Sequence, residues 1–190
     1  MKKNKLQIIA ITGAFGSGKS TVATLLSSKG FEKIILSSFL EEELKKRGTK
    51  KITRKILQDL GNEWRERYGT GVLAKKALEY ALREKKSKIV IDGIRNIGEI
   101  EEFKKKESFL LISILADRKV RFERLKKIKR RESLTWKIFE QLDSRDLGIK
   151  EKSTGLQVAF CIALSDIFIT NNRTKKELKN KLSKALKEIL

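Results

Sequence analysis

The sequence predicts an α/β fold: a doubly wound, three-layer sandwich around a five-stranded parallel sheet. Three observations on the 190-residue chain lead there. Short apolar runs alternate with longer charged stretches whose apolar residues recur three or four apart, as helices require. Runs such as IVID and LLISIL are apolar without alternation, the mark of strands covered on both faces. A glycine-rich stretch, GAFGSGKST, follows the first apolar run directly, where a strand passes the chain to a helix.

Taken in order, the strand candidates are 6–12, 33–36, 88–92, 109–115 and 167–170, with amphipathic helices between them. The first helix is expected over 19–28. No internal repeat, low-complexity block or Pro/Ser-rich linker divides the chain, so residues 1–190 are expected to form one domain. The chain has no proline, and its breaks are read from glycine and polar residues instead.

Composition narrows the chemistry. With no histidine and one cysteine, histidine-based acid–base catalysis and the usual zinc sites are excluded. Cys161 lies in the apolar stretch VAFCIAL and reads as a buried small hydrophobe. A lone cysteine forms no intramolecular disulfide, which points to a reducing, cytoplasmic setting. No apolar run is long enough to span a bilayer, so no membrane association is expected. The basic tip and short apolar run at the start lead straight into the glycine loop without a cleavage region, and read as a core strand. A net charge of +21 points to acidic partners, whether phosphorylated small molecules or nucleic acid, or else to a lysine-rich proteome.

GAFGSGKST fits G-x-x-x-x-G-K-[ST] through Gly13, Gly18, Lys19 and Ser20. A loop that wraps a triphosphate points successive backbone N–H groups inward, which needs backbone angles that glycine adopts easily. The backbone from Gly13 and Ala14 through Gly16, Ser17 and Gly18 is expected to cradle ATP, together with Lys19, Ser20 and Thr21 at the start of the helix. Lys19 is the candidate to neutralise charge on the transferring phosphate, and Ser20 to bind Mg²⁺.

Three later stretches carry further candidates. In KITRKILQDLGNEWRERYG, Leu57, Leu60, Trp64 and Tyr68 form one helical stripe, with Arg54, Gln58, Gly61 and Arg65 beside it. The planar guanidinium forks of that second stripe suit a phosphate; an ordinary solvated face is the alternative. In KIVIDGIRNIGEIEEF, Asp92 closes an apolar strand, where a carboxylate can face Mg²⁺ or its water, and Arg95 follows near the carboxyl edge of the sheet. From 116 to 131 stand nine basic residues against two acidic ones. That segment reads as a basic lid closing over phosphates, as a nucleic-acid patch, or as a solvated helix. Its one aromatic, Phe122, offers little for base stacking.

Together these stretches and ALSDIFITNNRTKKEL resemble the P-loop nucleotide kinases, specifically deoxynucleoside monophosphate kinases and the related dephospho-CoA kinases. The resemblance implies a P-loop NTPase three-layer sandwich with an acceptor-binding helical insertion at about 38–86 and a helical lid at about 118–147. It implies that Arg54, Gln58 and Arg65 bind the acceptor, that Asp92 and Arg95 lie beside it, and that Glu99 is a weaker match. Arg121 or Arg124 would hold ATP, Arg124 and Arg130 would complete a catalytic clamp on lid closure, and Asn171 would lie beside the adenine. One position departs from the pattern: Ser38 stands in ILSSFLEEEL where related kinases often carry Asp. The expected activity is transfer of the γ-phosphoryl group of Mg·ATP to a (deoxy)nucleoside monophosphate. Dephospho-CoA kinase and a basic nucleic-acid-binding ATPase are the alternatives.

Overall fold

The computed structural model describes residues 6–128 and 134–187. Five strands form a single parallel sheet: β1 (Gln7–Thr12), β2 (Glu32–Ile35), β3 (Lys88–Asp92), β4 (Ser108–Leu115) and β5 (Ile167–Thr170). Their spatial order is β2-β3-β1-β4-β5, so the chain reverses direction across the sheet on either side of β1. The expected three-layer α/β sandwich is therefore present.

Alternate residues of the central strands feed two separate cores, which is why these strands are apolar throughout. Ile8 and Ala10 of β1 face one way and pack with Ile89 and Ile91 of β3. Against that face lie α2 (Leu36–Lys46), α3 (Arg54–Tyr68), α4 (Val72–Arg83) and α5 (Ile97–Lys104). Ile9 and Ile11 face the other way, toward α1 (Lys19–Ser27) and α9 (Lys175–Lys187). Cys161 is buried at 0% exposure in α8 (Val158–Ala163) as part of the first core, and burial pushes its thiol pKa up.

Two helices cross the carboxyl edge of the sheet: α6 (Arg118–Ile128) and α7 (Trp136–Leu147). Thr135 caps α7 by accepting the Ile138 N–H, and Gly148 ends it in the left-handed conformation. The buried residues of α7 are Phe139, Leu142, Asp143 and Asp146, at the spacing of a core-facing stripe. Two carboxylates thus occupy positions where a helix ordinarily places apolar side chains. Both serve the site described next.

Candidate active site

The glycine loop takes the strained path its sequence allows. Gly13, Gly16 and Gly18 all have positive φ, at 140°, 82° and 103°. A Cβ on Gly13 would lie 2.3 Å from the Ile114 carbonyl oxygen, and one on Gly18 would lie 2.3 Å from the Asn171 amide nitrogen. At Gly13 the clash is with backbone, so glycine is required on grounds of space as well as angle; at Gly18 the backbone angle is the constraint. Gly18 caps α1 directly, so the loop opens onto the helix N-terminus through Lys19, Ser20 and Thr21. The Ala14 carbonyl accepts from the Ser17 N–H at 3.1 Å. Ser17 Oγ is buried without a hydrogen-bond partner among the described residues.

The Lys19 ammonium folds back on its own loop, donating to the carbonyls of Gly13 at 2.6 Å and Ala14 at 3.0 Å. Burial pushes its pKa down to about 8; Asp146 and Asp92 oppose the shift, while Arg95 and Arg54 reinforce it. These charges are its electrostatic neighbours and define the centre of the site.

Arg54 comes from the first turn of α3, and Arg95 from the turn after β3. That turn is pinned to β1, because Ile11 O accepts from both Gly93 N and Ile94 N at 3.1 Å. Glu99 fixes it from the other side: its Oε2 accepts the Arg95 N–H at 2.8 Å and the Asn96 N–H at 3.2 Å. The two guanidiniums converge on one atom, Asp146 Oδ1, at 2.9 Å from Arg54 and 3.0 Å from Arg95. Burial alone would raise the Asp146 pKa, but Arg95, Arg54 and Lys19 outweigh it and hold the carboxyl at about 2. Phe15 of the loop completes the contact. The Arg54 guanidinium lies 4.1 Å over its ring, and the Phe139 ring stacks on it at 6.3 Å.

Asp92 ends β3 at 4% exposure. Its Oδ2 makes no hydrogen bond among the described residues, and the Lys33 ammonium stands 3.7 Å away. Lys33 also reaches Thr24 Oγ1 at 3.3 Å and the Ser20 carbonyl at 3.5 Å, so an ammonium bridges the start of α1 and Asp92. Ser20 is exposed, and the buried Asp92 oxygen is a hard donor of the kind Mg²⁺ takes, but here the Lys33 ammonium is its cation.

Other expected residues are placed differently. Arg65 does not enter the cluster. It is 2% exposed and pairs with Glu99, Nη2 to Oε1 at 3.3 Å, in the space left above Gly61. A buried guanidinium needs a counter-ion, and Glu99 is the one within reach. Gln58 is also buried, its amide donating to the Leu142 carbonyl at 3.4 Å, so it docks α7 on α3. Tyr68, expected in the apolar stripe, is 52% exposed. Ser38 donates to the Ile35 carbonyl at 2.7 Å. It lines a separate cleft of about 480 Å³ with Lys33, Phe39, Glu42, Lys76 and Glu79, which none of Arg54, Gln58, Arg65 or Arg95 lines.

Arg121 is buried in a bidentate pair with Asp143, Nη1 donating to Oδ1 and Nη2 to Oδ2 at 3.0 Å, and its Nη1 also donates to the Phe15 carbonyl at 2.9 Å. It thereby ties α6 to the phosphate loop. Arg124 donates to the carbonyls of Asn171 at 2.7 Å and Arg173 at 3.2 Å. Asn171 braces the loop, its side-chain amide donating to the Ser17 carbonyl at 2.8 Å. Arg130 lies outside the described residues. Sequence reasoning missed Asp146, Asp143 and Lys33. The signal for the two aspartates was there, since both fall on the apolar stripe of α7; Lys33 had none.

Comparison with known proteins bears on the family and the fold. A family model described as an AAA domain matches residues 9–148. The UPF0200 protein of Sulfurisphaera tokodaii is 38% identical over 186 residues, covering 97% of this chain and 98% of its own. The chain belongs to the UPF0200 family of AAA-domain proteins. Its fold is that of solved P-loop kinases. Shikimate kinase from Bacteroides thetaiotaomicron superposes with a TM-score of 0.60 at 14% identity, covering 96% of this chain and 98% of its own. Dephospho-CoA kinase from Campylobacter jejuni gives 0.52 at 17%, covering 96% of each chain. Among the described residues, no helix is long and apolar enough to cross a membrane.

Proposed function

We propose that this protein is an ATP-dependent kinase that transfers the γ-phosphoryl group of Mg·ATP to a (deoxy)nucleoside monophosphate. The observation that carries the reading is the convergence of Arg54 and Arg95 on a single anionic oxygen, beside the phosphate-loop lysine. Two guanidiniums aimed at one point form an anion anchor, and a monophosphate is the acceptor group that fits it.

Bound Mg·ATP supplies the phosphoryl group, whose bond to the β-phosphate oxygen breaks as an acceptor phosphate oxygen bonds to phosphorus. The loop from Gly13 to Gly18 orients the donor through backbone N–H groups. Lys19 leaves the Gly13 and Ala14 carbonyls for the transferring group and stabilises its developing charge. Ser20 and Asp92 are the candidate Mg²⁺ residues. Arg54 and Arg95 hold the acceptor, and an acceptor oxygen already anionic at neutral pH needs no general base, in keeping with a site that has no histidine. Arg121, Arg124 and Asn171 act from beneath and beside the loop by fixing its shape.

The test is ADP release from Mg·ATP by the purified protein, screened against nucleoside and deoxynucleoside monophosphates, dephospho-CoA and shikimate. Strong stimulation by one monophosphate, lost in Arg95→Ala, is the expected result. Stimulation by a hydroxyl acceptor alone, or by nucleic acid alone with steep salt dependence, contradicts it.

A further inference from the structure

Lys33 stands where a strand ordinarily places an apolar side chain. In the parallel pairing of β2 with β3, Lys33 lies opposite Val90 and Ile35 opposite Asp92. Val90 belongs to the core beneath α1, so Lys33 and Asp92 share the sheet face that α1 covers. The Lys33 side chain is 23% exposed and the Asp92 side chain 5%. Its ammonium reaches Thr24 Oγ1 at 3.3 Å, the Ser20 carbonyl at 3.5 Å and Asp92 Oδ2 at 3.7 Å. Close charge-assisted hydrogen bonds run about 2.7–2.9 Å, so this cation is shared among three acceptors and committed to none. Asp92 Oδ2, for its part, makes no hydrogen bond among the described residues. Lys19 is a second cation in the electrostatic surroundings of Asp92, but its own ammonium is bonded to the Gly13 and Ala14 carbonyls.

This arrangement bears on how a metal reaches Asp92. Mg²⁺ binds a carboxylate oxygen at about 2.0–2.1 Å, or through one of its waters. Either mode brings two positive charges close to the Lys33 ammonium in a largely buried place, where like charges repel strongly. A divalent ion that arrives alone meets that repulsion in full. One that arrives on a nucleoside triphosphate comes with more negative charge than it carries itself, and the phosphates offset the lysines. Lys33 then need not travel far, because Thr24 Oγ1 and the Ser20 carbonyl remain as its acceptors.

We propose that Lys33 is a positioning residue that reserves Asp92 for metal delivered with a nucleotide, its ammonium serving as the carboxylate's cation in the free protein and excluding a divalent ion that arrives alone. The inference rests on the proposed function in one respect, that Asp92 faces the metal of Mg·ATP. Its consequence is that metal and nucleotide enter as a unit.

The experiment is titration of the full chain with Mn²⁺ in the absence of nucleotide, the free ion being read by its electron paramagnetic resonance signal. Lys33→Met, which keeps an apolar stem and removes the charge, is expected to bind Mn²⁺ at least about tenfold more tightly than wild type. The gain should vanish in Lys33→Met combined with Asp92→Asn, and Lys33→Arg, which keeps the charge, should behave as wild type. Equal Mn²⁺ binding by wild type and Lys33→Met, or a gain that survives Asp92→Asn, overturns the proposal. Should Lys33→Met fail to fold, Asp92→Asn alone carries the test. With Lys33 in place it should leave nucleotide-free Mn²⁺ binding unchanged, and a drop overturns the proposal. Mn²⁺ with a non-hydrolysable ATP analogue separates the two levels. Analogue binding weakened by Asp92→Asn, with no site opened by Lys33→Met, removes this inference alone. Analogue binding indifferent to Asp92 removes Asp92 from the metal site as well, and binding absent from every protein removes the nucleotide reading with it.

Discussion

Replacing Arg65 by alanine separates a buried structural arginine from one that meets substrate. Its guanidinium is 1% exposed and its partner carboxylate on Glu99 is 0% exposed. Glu99 Oε2 retains the Arg95 and Asn96 N–H donors after the substitution, whereas Oε1 loses both guanidinium contacts, at 3.3 and 3.4 Å. Breaking a buried pair by removing one partner costs about 3–5 kcal/mol. The expected loss in Arg65→Ala is therefore about 3–5 kcal/mol at pH 7, measured by urea denaturation.

Arg95→Ala, whose side chain is part exposed, should instead leave stability within about 1 kcal/mol and weaken the acceptor anchor. Wild-type stability in Arg65→Ala, together with loss of acceptor binding, would refute the assignment of Arg65 to the interior.

Three further outcomes follow from the same structure. Because the Lys19 pKa is lowered to about 8, a fraction of the free protein is neutral there at pH 8.5, and phosphate charge should restore its proton. Mg·ATP binding at that pH should take up a proton, seen as a buffer-dependent calorimetric enthalpy, and Lys19→Ala should abolish both the uptake and acceptor-dependent turnover. Gly13→Ala should lose nucleotide binding, since its φ of 140° is strained for alanine and the added Cβ meets the Ile114 carbonyl at 2.3 Å; equilibrium dialysis with labelled ATP measures it. Native Cys161 should resist thiol reagents and react only on unfolding, because burial both shields it and raises its pKa.

The strand pattern and the phosphate loop were legible in the chain because both are local. Unalternating apolar runs report a sheet covered twice, and the expected strands match those observed to within about one residue at each end. GAFGSGKST encodes its path through glycines whose positive φ is a property of three or four consecutive residues. Asp92 and Arg95 were legible for a related reason, since a strand end fixes where the following turn must lie.

Tertiary structure decided which charged side chains meet. Arg54 and Arg65 share one helical stripe, eleven residues apart, and sequence treats them alike. Packing gives Arg54 an aspartate 92 residues away beside the phosphate loop, and gives Arg65 a buried glutamate behind it. The same holds for Arg121, committed to Asp143, and for Asp146, whose partners come from α3 and from the turn after β3. Helical periodicity tells which face a residue occupies, but a counter-ion is chosen by proximity in space. The balance between guanidiniums and carboxylates in this site is therefore a property of how α7 lies across the sheet edge.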